Sequence, residues 1–154
     1  MERLTGDLIE LAEDNHFDVI VHGCNCMHTW GAGFAEQLKM IYPEAYIADL
    51  MTRKADINKL GTYTFTTANN RHAPFFVVNA YTQFRYGRDK DKNPPVDYEA
   101  IERVFKAIAW HWKDARIAYP SIGAGLAGGD WGIIEPIIDE ALRSHEHYLV
   151  IKPK

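Results

Sequence analysis

Two glycine-rich turns, each placed where a strand hands over to a helix, constrain this chain more than any other feature. The first follows Val19-Ile20-Val21 and reads His22-Gly23-Cys24-Asn25, then Trp30-Gly31-Ala32-Gly33-Phe34. The second follows Ile117-Ala118-Tyr119 and reads Pro120-Ser121-Ile122-Gly123-Ala124-Gly125-Leu126-Ala127-Gly128-Gly129. Glycine lacks a Cβ, so backbone N–H groups in such turns can approach an anion closely. A helix start adds unpaired donors and a favourable dipole. Two such turns at one edge of a sheet can hold two phosphates or a diphosphate, which points to a nucleotide-like ligand.

Around the turns, short apolar strands alternate with amphipathic helices. Strands are expected over residues 1–5, 17–21, 62–67, 74–80, 115–119 and 147–151. Helices are expected over 31–41, from Pro43 to about Arg53, from a cap at Asp97 to about Trp112, and over 132–142. Residues 84–95 read as a loop, carrying Arg85, Arg88, Asp89, Lys90, Asp91 and Lys92 and ending in Pro94-Pro95. The run from Tyr81 to Tyr86 reads either as one wall of a pocket or as a solvated loop with an aromatic anchor. This order predicts one α/β domain over residues 1–154, layered helix–sheet–helix around a mixed, mostly parallel sheet. Ligands in such sheets bind at the carboxyl ends of strands, where both turns lie.

Composition narrows the ligand class. The net charge is −4, with 17 basic and 21 acidic residues, which argues against general nucleic-acid binding. An anion would then be held by backbone donors and helix ends. Cys24 and Cys26 are the only cysteines, too closely spaced for an easy disulfide and without a second pair for zinc. They read as reduced thiols of a cytoplasmic protein. The histidines form no ligand-spaced cluster, so neither a metal nor a cofactor is expected. No signal peptide opens the chain and no apolar run reaches membrane-spanning length, so no membrane partner is expected.

Gly123-Ala124-Gly125-Leu126-Ala127-Gly128 formally matches G-x-G-x-x-G. A dinucleotide fingerprint opens the first strand–helix unit, with most of the sheet still to follow. Here only one helix and one strand remain, so a nicotinamide-binding fold is rejected. No G-x-x-x-x-G-K-[ST] occurs, so the chain has no P-loop.

Taken in order, Gly6-Asp7-Leu8, the strand Val19-Ile20-Val21, Asn25, Gly31-Ala32-Gly33-Phe34-Ala35 and Ser121-Ile122-Gly123-Ala124-Gly125 resemble the macrodomain signature. The form His22-x-Cys24-Asn25-Cys26 with Trp30-Gly31-Ala32-Gly33 is similar to small stand-alone macrodomains that include yeast-type ADP-ribose 1″-phosphate phosphatases. The resemblance implies an ADP-ribose pocket. Asp7 would accept from the adenine amino group with Leu8 nearby, or serve only as a turn or cap residue. Asn25 would hydrogen-bond the distal ribose, or close an Asx turn. Trp30, Gly31, Ala32, Gly33 and Phe34 would line one side of the diphosphate and distal ribose. Ser121, Ile122, Gly123, Ala124, Gly125 and Leu126 would line the other.

The catalytic candidates implied by the resemblance are His22, Asn25 and Asp130. His22 reads either as a proton relay near the distal ribose or as a satisfied, half-buried histidine. Asp130 reads either as a group orienting water or as the cap of the helix that follows. One class of macrodomains removes ADP-ribose through a lysine and an aspartate. Those positions fall near Thr82-Gln83 and at Ala127, and neither residue is present. The activity the resemblance to the yeast-type members implies is hydrolysis of ADP-ribose 1″-phosphate to ADP-ribose and phosphate. The alternatives are a non-catalytic ADP-ribose reader and a glycohydrolase acting on ADP-ribosylated macromolecules.

Overall fold

Six strands and five helices alternate along a computed structural model that describes residues 1–154. The strands are β1 (Glu2–Thr5), β2 (Val19–Cys24), β3 (Tyr63–Ala68), β4 (Phe75–Tyr81), β5 (Ile117–Tyr119) and β6 (His147–Ile151). The helices are α1 (Leu8–Glu13), α2 (Gly33–Ile41), α3 (Pro43–Leu50), α4 (Tyr98–His111) and α5 (Trp131–Ala141). The strands form one sheet in the order β1-β6-β5-β2-β4-β3. Every pairing is parallel except β3, which runs antiparallel along β4 at the edge. No helix is long and apolar enough to cross a membrane.

Alternation along the central strands builds two cores, one on each sheet face. Val19 and Val21 of β2 face Val78, Ile101, Val104, Phe105, Ile134 and Ile138, the layer under α4 and α5. Ile20 and Cys24 face Leu8, Ile9, Leu38 and Ala45, the layer under α1, α2 and α3. This is the three-layer arrangement that the sequence pattern predicts.

The two central neighbours β2 and β5 are followed by helices on opposite faces, α2 on one and α5 on the other. The chain therefore leaves their carboxyl ends in opposite directions. A crevice opens between the two departing turns, as it does wherever strand order reverses in an open α/β sheet.

Local chemistry sets the helix starts. Asp7 accepts from the Glu10 N–H at 3.0 Å, Asp97 from Ala100 at 2.9 Å and Asp130 from Gly132 at 2.8 Å. The structure differs from expectation at several boundaries. β2 continues to Cys24, so His22 and Gly23 belong to a strand rather than to the turn, and His22 is paired in register with Asn79. α2 begins at Gly33, because Ala32 remains extended. α3 ends at Leu50, short of Arg53. The six-residue α1 was not expected, since its run Leu8-Ile9-Glu10-Leu11-Ala12 is too short to display a helical period.

Candidate functional site

The crevice holds two adjoining cavities. The larger, about 540 Å³, lies among the β1–α1 turn, the start of α2 and the end of β6, and its lining includes Asp7, Leu8, Gly33, Phe34 and Ser121. The smaller, about 370 Å³, lies over the end of β2 and includes Asn25, Trp30, Gly31, Ala32, Gln83 and Leu126. They meet where the Leu126 side chain passes within 3.9 Å of the position a Cβ on Gly33 would occupy.

Unpaired backbone donors surround this junction. The first N–H groups of α2 have no intrahelical acceptor, and its N-cap Ala32 offers no side-chain bond. In the second turn, Gly129 donates to Gly123 O at 2.6 Å, Gly128 to Gly125 O at 3.0 Å and Ala124 to Ser121 O at 3.2 Å. The N–H groups of Gly123, Gly125, Leu126 and Ala127 find no backbone acceptor. Of these four residues Leu126 borders the smaller cavity, and unpaired donors clustered in such a turn can hold an anion as a nest.

The second turn is divided between core and cavity. Ile122 is buried and anchors the turn in the core. Gly123 has φ +76, and a Cβ there would lie 2.9 Å from Val96 and 3.1 Å from Ile134. It thus faces the core and shapes the turn. Gly125 faces open space. Of the second turn only Pro120 and Ser121 border the larger cavity and Leu126 the smaller, so Ile122, Gly123, Ala124 and Gly125 line neither, contrary to the expectation from the sequence.

Asp7 combines the two roles the sequence left open. One carboxylate oxygen caps α1, while the other, at the larger cavity, accepts from Gln37 Nε2 at 3.4 Å. Asn25 likewise closes its own turn. Its Oδ1 accepts from Met27 N at 2.9 Å and Thr29 N at 3.3 Å, and its Nδ2 donates to Thr29 O at 3.0 Å. One N–H of the amide stays unpaired beside the smaller cavity.

The structure does not bring His22 or Asp130 into either cavity. His22 is 2% exposed, and its Nε2 donates to Asn79 Oδ1 at 2.7 Å. Asn79 Nδ2 is committed to Ala45 O and Thr64 Oγ1, each at 3.0 Å, which fixes the amide orientation. The His22 ring meets Trp30 and Phe34 edge-on, at centroid distances of 4.8 and 5.7 Å. Burial pushes its pKa down to about 4. The imidazole lies behind Trp30 and outside both cavities, a position that corresponds to the satisfied-histidine alternative. Asp130 is exposed and caps α5, the cap alternative.

Several residues were not singled out from the sequence. Gln37, Met40 and Lys152 border the larger cavity, and Thr29 and Gly87 the smaller. Gln83 and Tyr86 do form a wall of the smaller one, while Tyr81 is buried in the core. Behind Trp30 lies a buried polar network centred on Asp49, which is fully buried. Asp49 accepts from Trp30 Nε1 at 2.9 Å and from Tyr81 OH at 2.6 Å. Lys59 Nζ stands 3.8 Å from Asp49 Oδ1 and donates to Cys26 O at 3.4 Å. The one sequence signal for this network was a carboxylate at i+4 from Ala45, on the apolar stripe of α3.

Cys24 reaches the smaller cavity, but burial raises its thiol pKa, so it remains protonated. No Asp, Glu, His, Lys or Arg side chain lines that cavity. No group of His, Cys, Asp and Glu is arranged to hold a metal ion.

No family model matches the chain. Among curated proteins, a 17.5 kDa protein of the tk-vs intergenic region of Enterobacteria phage T4 is 36% identical over 142 residues, 88% of this chain and 86% of that one. An ADP-ribose 1″-phosphate phosphatase of Saccharomyces cerevisiae is 21% identical over 79% of this chain and 82% of its own. A DNA ADP-ribosyl glycohydrolase of Mycobacterium tuberculosis is 26% identical over 85% of this chain but only 35% of its own length. Among solved structures, a Bacteroides thetaiotaomicron protein of unknown function superposes with a TM-score of 0.75 at 28% identity, covering 99% of both chains. The macrodomain of Thermus aquaticus DarG superposes at 0.74 with 22% identity, over 99% of this chain and 97% of that one. Thermosipho africanus DarTG in complex with ADP-ribose reaches 0.72 at 16% identity, over 99% of this chain and 42% of its own.

Proposed function

This chain belongs to the macrodomain family, and from that premise we propose that it binds ADP-ribose across the two cavities and hydrolyses the phosphomonoester of ADP-ribose 1″-phosphate. The observation that carries the binding reading is the pair of cavities joined by a lip of unpaired N–H groups. Adenosine fits the larger cavity, whose volume is in the usual range for small-ligand sites. There the Asp7 carboxylate accepts from the base amino group, and Gln37 steadies it. The diphosphate crosses the Gly33–Leu126 junction and takes up the donors of α2 and of the second turn. The distal ribose enters the smaller cavity beside the free N–H of Asn25.

The preference for phosphoryl over glycosyl chemistry in this reading draws its support from what lines the smaller cavity. Cleavage of a glycosidic bond ordinarily uses two carboxylates, as acid and as base or nucleophile. That cavity presents none. Phosphoryl transfer asks less of the protein, because positioning and charge stabilisation carry most of the rate. Asn25 and the backbone donors supply both, with water activated by the substrate's own phosphate. The yeast relative is named for this reaction. In this reading His22 is a positioning residue that braces Trp30 and Phe34, and Asp130 holds the start of α5.

The same uncharged lining also suits a module that binds ADP-ribose and turns nothing over. Calorimetry with ADP-ribose and single-turnover phosphate release from ADP-ribose 1″-phosphate separate the readings. Binding with release supports the hydrolase. Binding without release leaves the reader module. Absence of binding, together with a flat thermal-shift response, refutes both. At 100 times its dissociation constant, ADP-ribose should add about 2.7 kcal/mol to folding stability.

A further inference from the structure

The loop between β4 and α4 holds four cations, Arg85, Arg88, Lys90 and Lys92, of which Arg88 directly follows the wall of the smaller cavity. Tyr86 and Gly87 form part of that cavity's wall, and the next residue, Arg88, turns back onto the second glycine-rich turn. Its Nη1 donates to Lys92 O at 2.8 Å. Its Nη2 lies against Gly128, where a Cβ would stand 2.9 Å from that nitrogen and 2.9 Å from Pro94. Gly128 also has φ +72, so no other residue seats the guanidinium there without strain. Leu126, two residues earlier, lines the same cavity.

Arg85, three residues before, is employed differently. It donates to Gly87 O and, at 3.3 Å, to Asn93 O, and Asp89 lies 3.5 Å from its Nη2. Arg85 therefore holds the loop together. Arg88 pairs with no carboxylate. In a chain of net charge −4 its guanidinium has no carboxylate partner, and it follows by one residue the wall of a cavity lined only by uncharged side chains.

We propose that Arg88 is the anion subsite for a phosphate carried on the distal ribose, and so sets the preference for the phosphorylated form of ADP-ribose over ADP-ribose itself. The inference rests on the ADP-ribose reading above and adds a specificity-determining residue to it. A guanidinium fork matches two oxygens of a terminal phosphate, which a lysine meets only as a point charge. The diphosphate is met by backbone N–H groups elsewhere. Loss of Arg88 therefore removes the preference without removing binding.

The test is equilibrium calorimetry on wild type, Arg88→Gln and Arg88→Lys. The ligands are ADP-ribose and its non-hydrolysable 1″-phosphonate analogue, so turnover does not interfere. Wild type should bind the phosphonate more tightly by roughly 10- to 100-fold, the value of a charged hydrogen-bonded contact. Arg88→Gln should bind both ligands alike, with ADP-ribose affinity within about twofold of wild type, and Arg88→Lys should keep part of the preference. An undiminished preference in Arg88→Gln, or none in wild type that still binds ADP-ribose, overturns the Arg88 assignment alone. Failure of wild type to bind ADP-ribose overturns the reading beneath it as well.

Discussion

A pair of valine substitutions two residues apart separates binding from folding. At Gly123 the backbone has φ +76, and a Cβ meets Val96 at 2.9 Å and Ile134 at 3.1 Å. Forcing an L-residue into the left-handed region costs about 1–2 kcal/mol. Overpacking a filled core adds about 1–3 kcal/mol. Gly123→Val should thus lose about 2–5 kcal/mol, a lowering of Tm by roughly 4–20 °C for a domain of this length. At Gly125 a Cβ meets nothing within 4 Å and the backbone is not left-handed, so Gly125→Val should fold within about 0.5 kcal/mol of wild type. Its branched side chain would stand over the N–H groups of Gly125 and Leu126. Losing one charge-assisted bond from them lowers ADP-ribose affinity roughly 10- to 100-fold. Urea denaturation and calorimetry on both variants measure the two effects. Wild-type affinity in Gly125→Val would refute the anion nest, and wild-type stability in Gly123→Val would refute the assignment of that residue to the core.

Three further outcomes follow from single groups. Asp7→Ala should lose about 1 kcal/mol with its cap and should bind the adenosine and inosine forms of ADP-ribose equally, as calorimetry with both will report. The His22 pKa is depressed from its ordinary 6.5 to about 4, so the unfolded chain takes up the proton first as pH falls. Its contribution, about 3 kcal/mol, is present in full above pH 6.5 and is lost as pH drops through about 4. Urea unfolding between pH 7 and 4 should be flatter for His22→Gln than for wild type, with a remainder from His147, whose pKa burial also lowers to about 4. Lys59→Met leaves the buried Asp49 carboxylate without its cation and should cost about 3–5 kcal/mol, whereas Lys59→Met combined with Asp49→Asn should recover much of the loss in the same denaturation assay.

The parts of this molecule that were legible in the sequence are those set by neighbours along the chain. The final strand was placed at its observed bounds, and the Asp97 cap and the stripe Ile101, Val104, Phe105 and Ile108 define α4 as expected. Both glycine turns lie at the crevice for the same reason, since strand, turn and helix follow one another within a few residues. The environment of His22 was not legible in this way. Whether its ring faces a ligand or a wall depends on Asn79, 57 positions away, which meets it only through the β2–β4 register. The Asp49 network joins residues from α3, β4, the first turn and the segment before β3, so no local pattern announces it. Gln83 and Tyr86 reach the smaller cavity because the β4–α4 loop folds back over the end of β2, a course that composition does not encode.

The placement of charge around the smaller cavity leads to a kinetic expectation for the proposed hydrolysis. Asp49 is separated from that cavity by Trp30, and an uncompensated carboxylate there would repel a diphosphate through a low-dielectric wall. Lys59 offsets that charge within the buried network, so the cavity sees little net field from it. His22 stays neutral through the neutral range, and the Cys24 thiol stays protonated. Neither His22 nor Cys24 therefore changes charge between about pH 6 and 8 in the sense general acid–base catalysis needs. The ionisation left in that window is the substrate's own second phosphate step, near pH 6. Single-turnover phosphate release should accordingly show one inflection near that value and no second limb up to pH 8. His22→Gln should reproduce the profile with the inflection unmoved. A bell-shaped profile in wild type that becomes flat in His22→Gln would return the imidazole to the chemistry and refute its assignment to the wall.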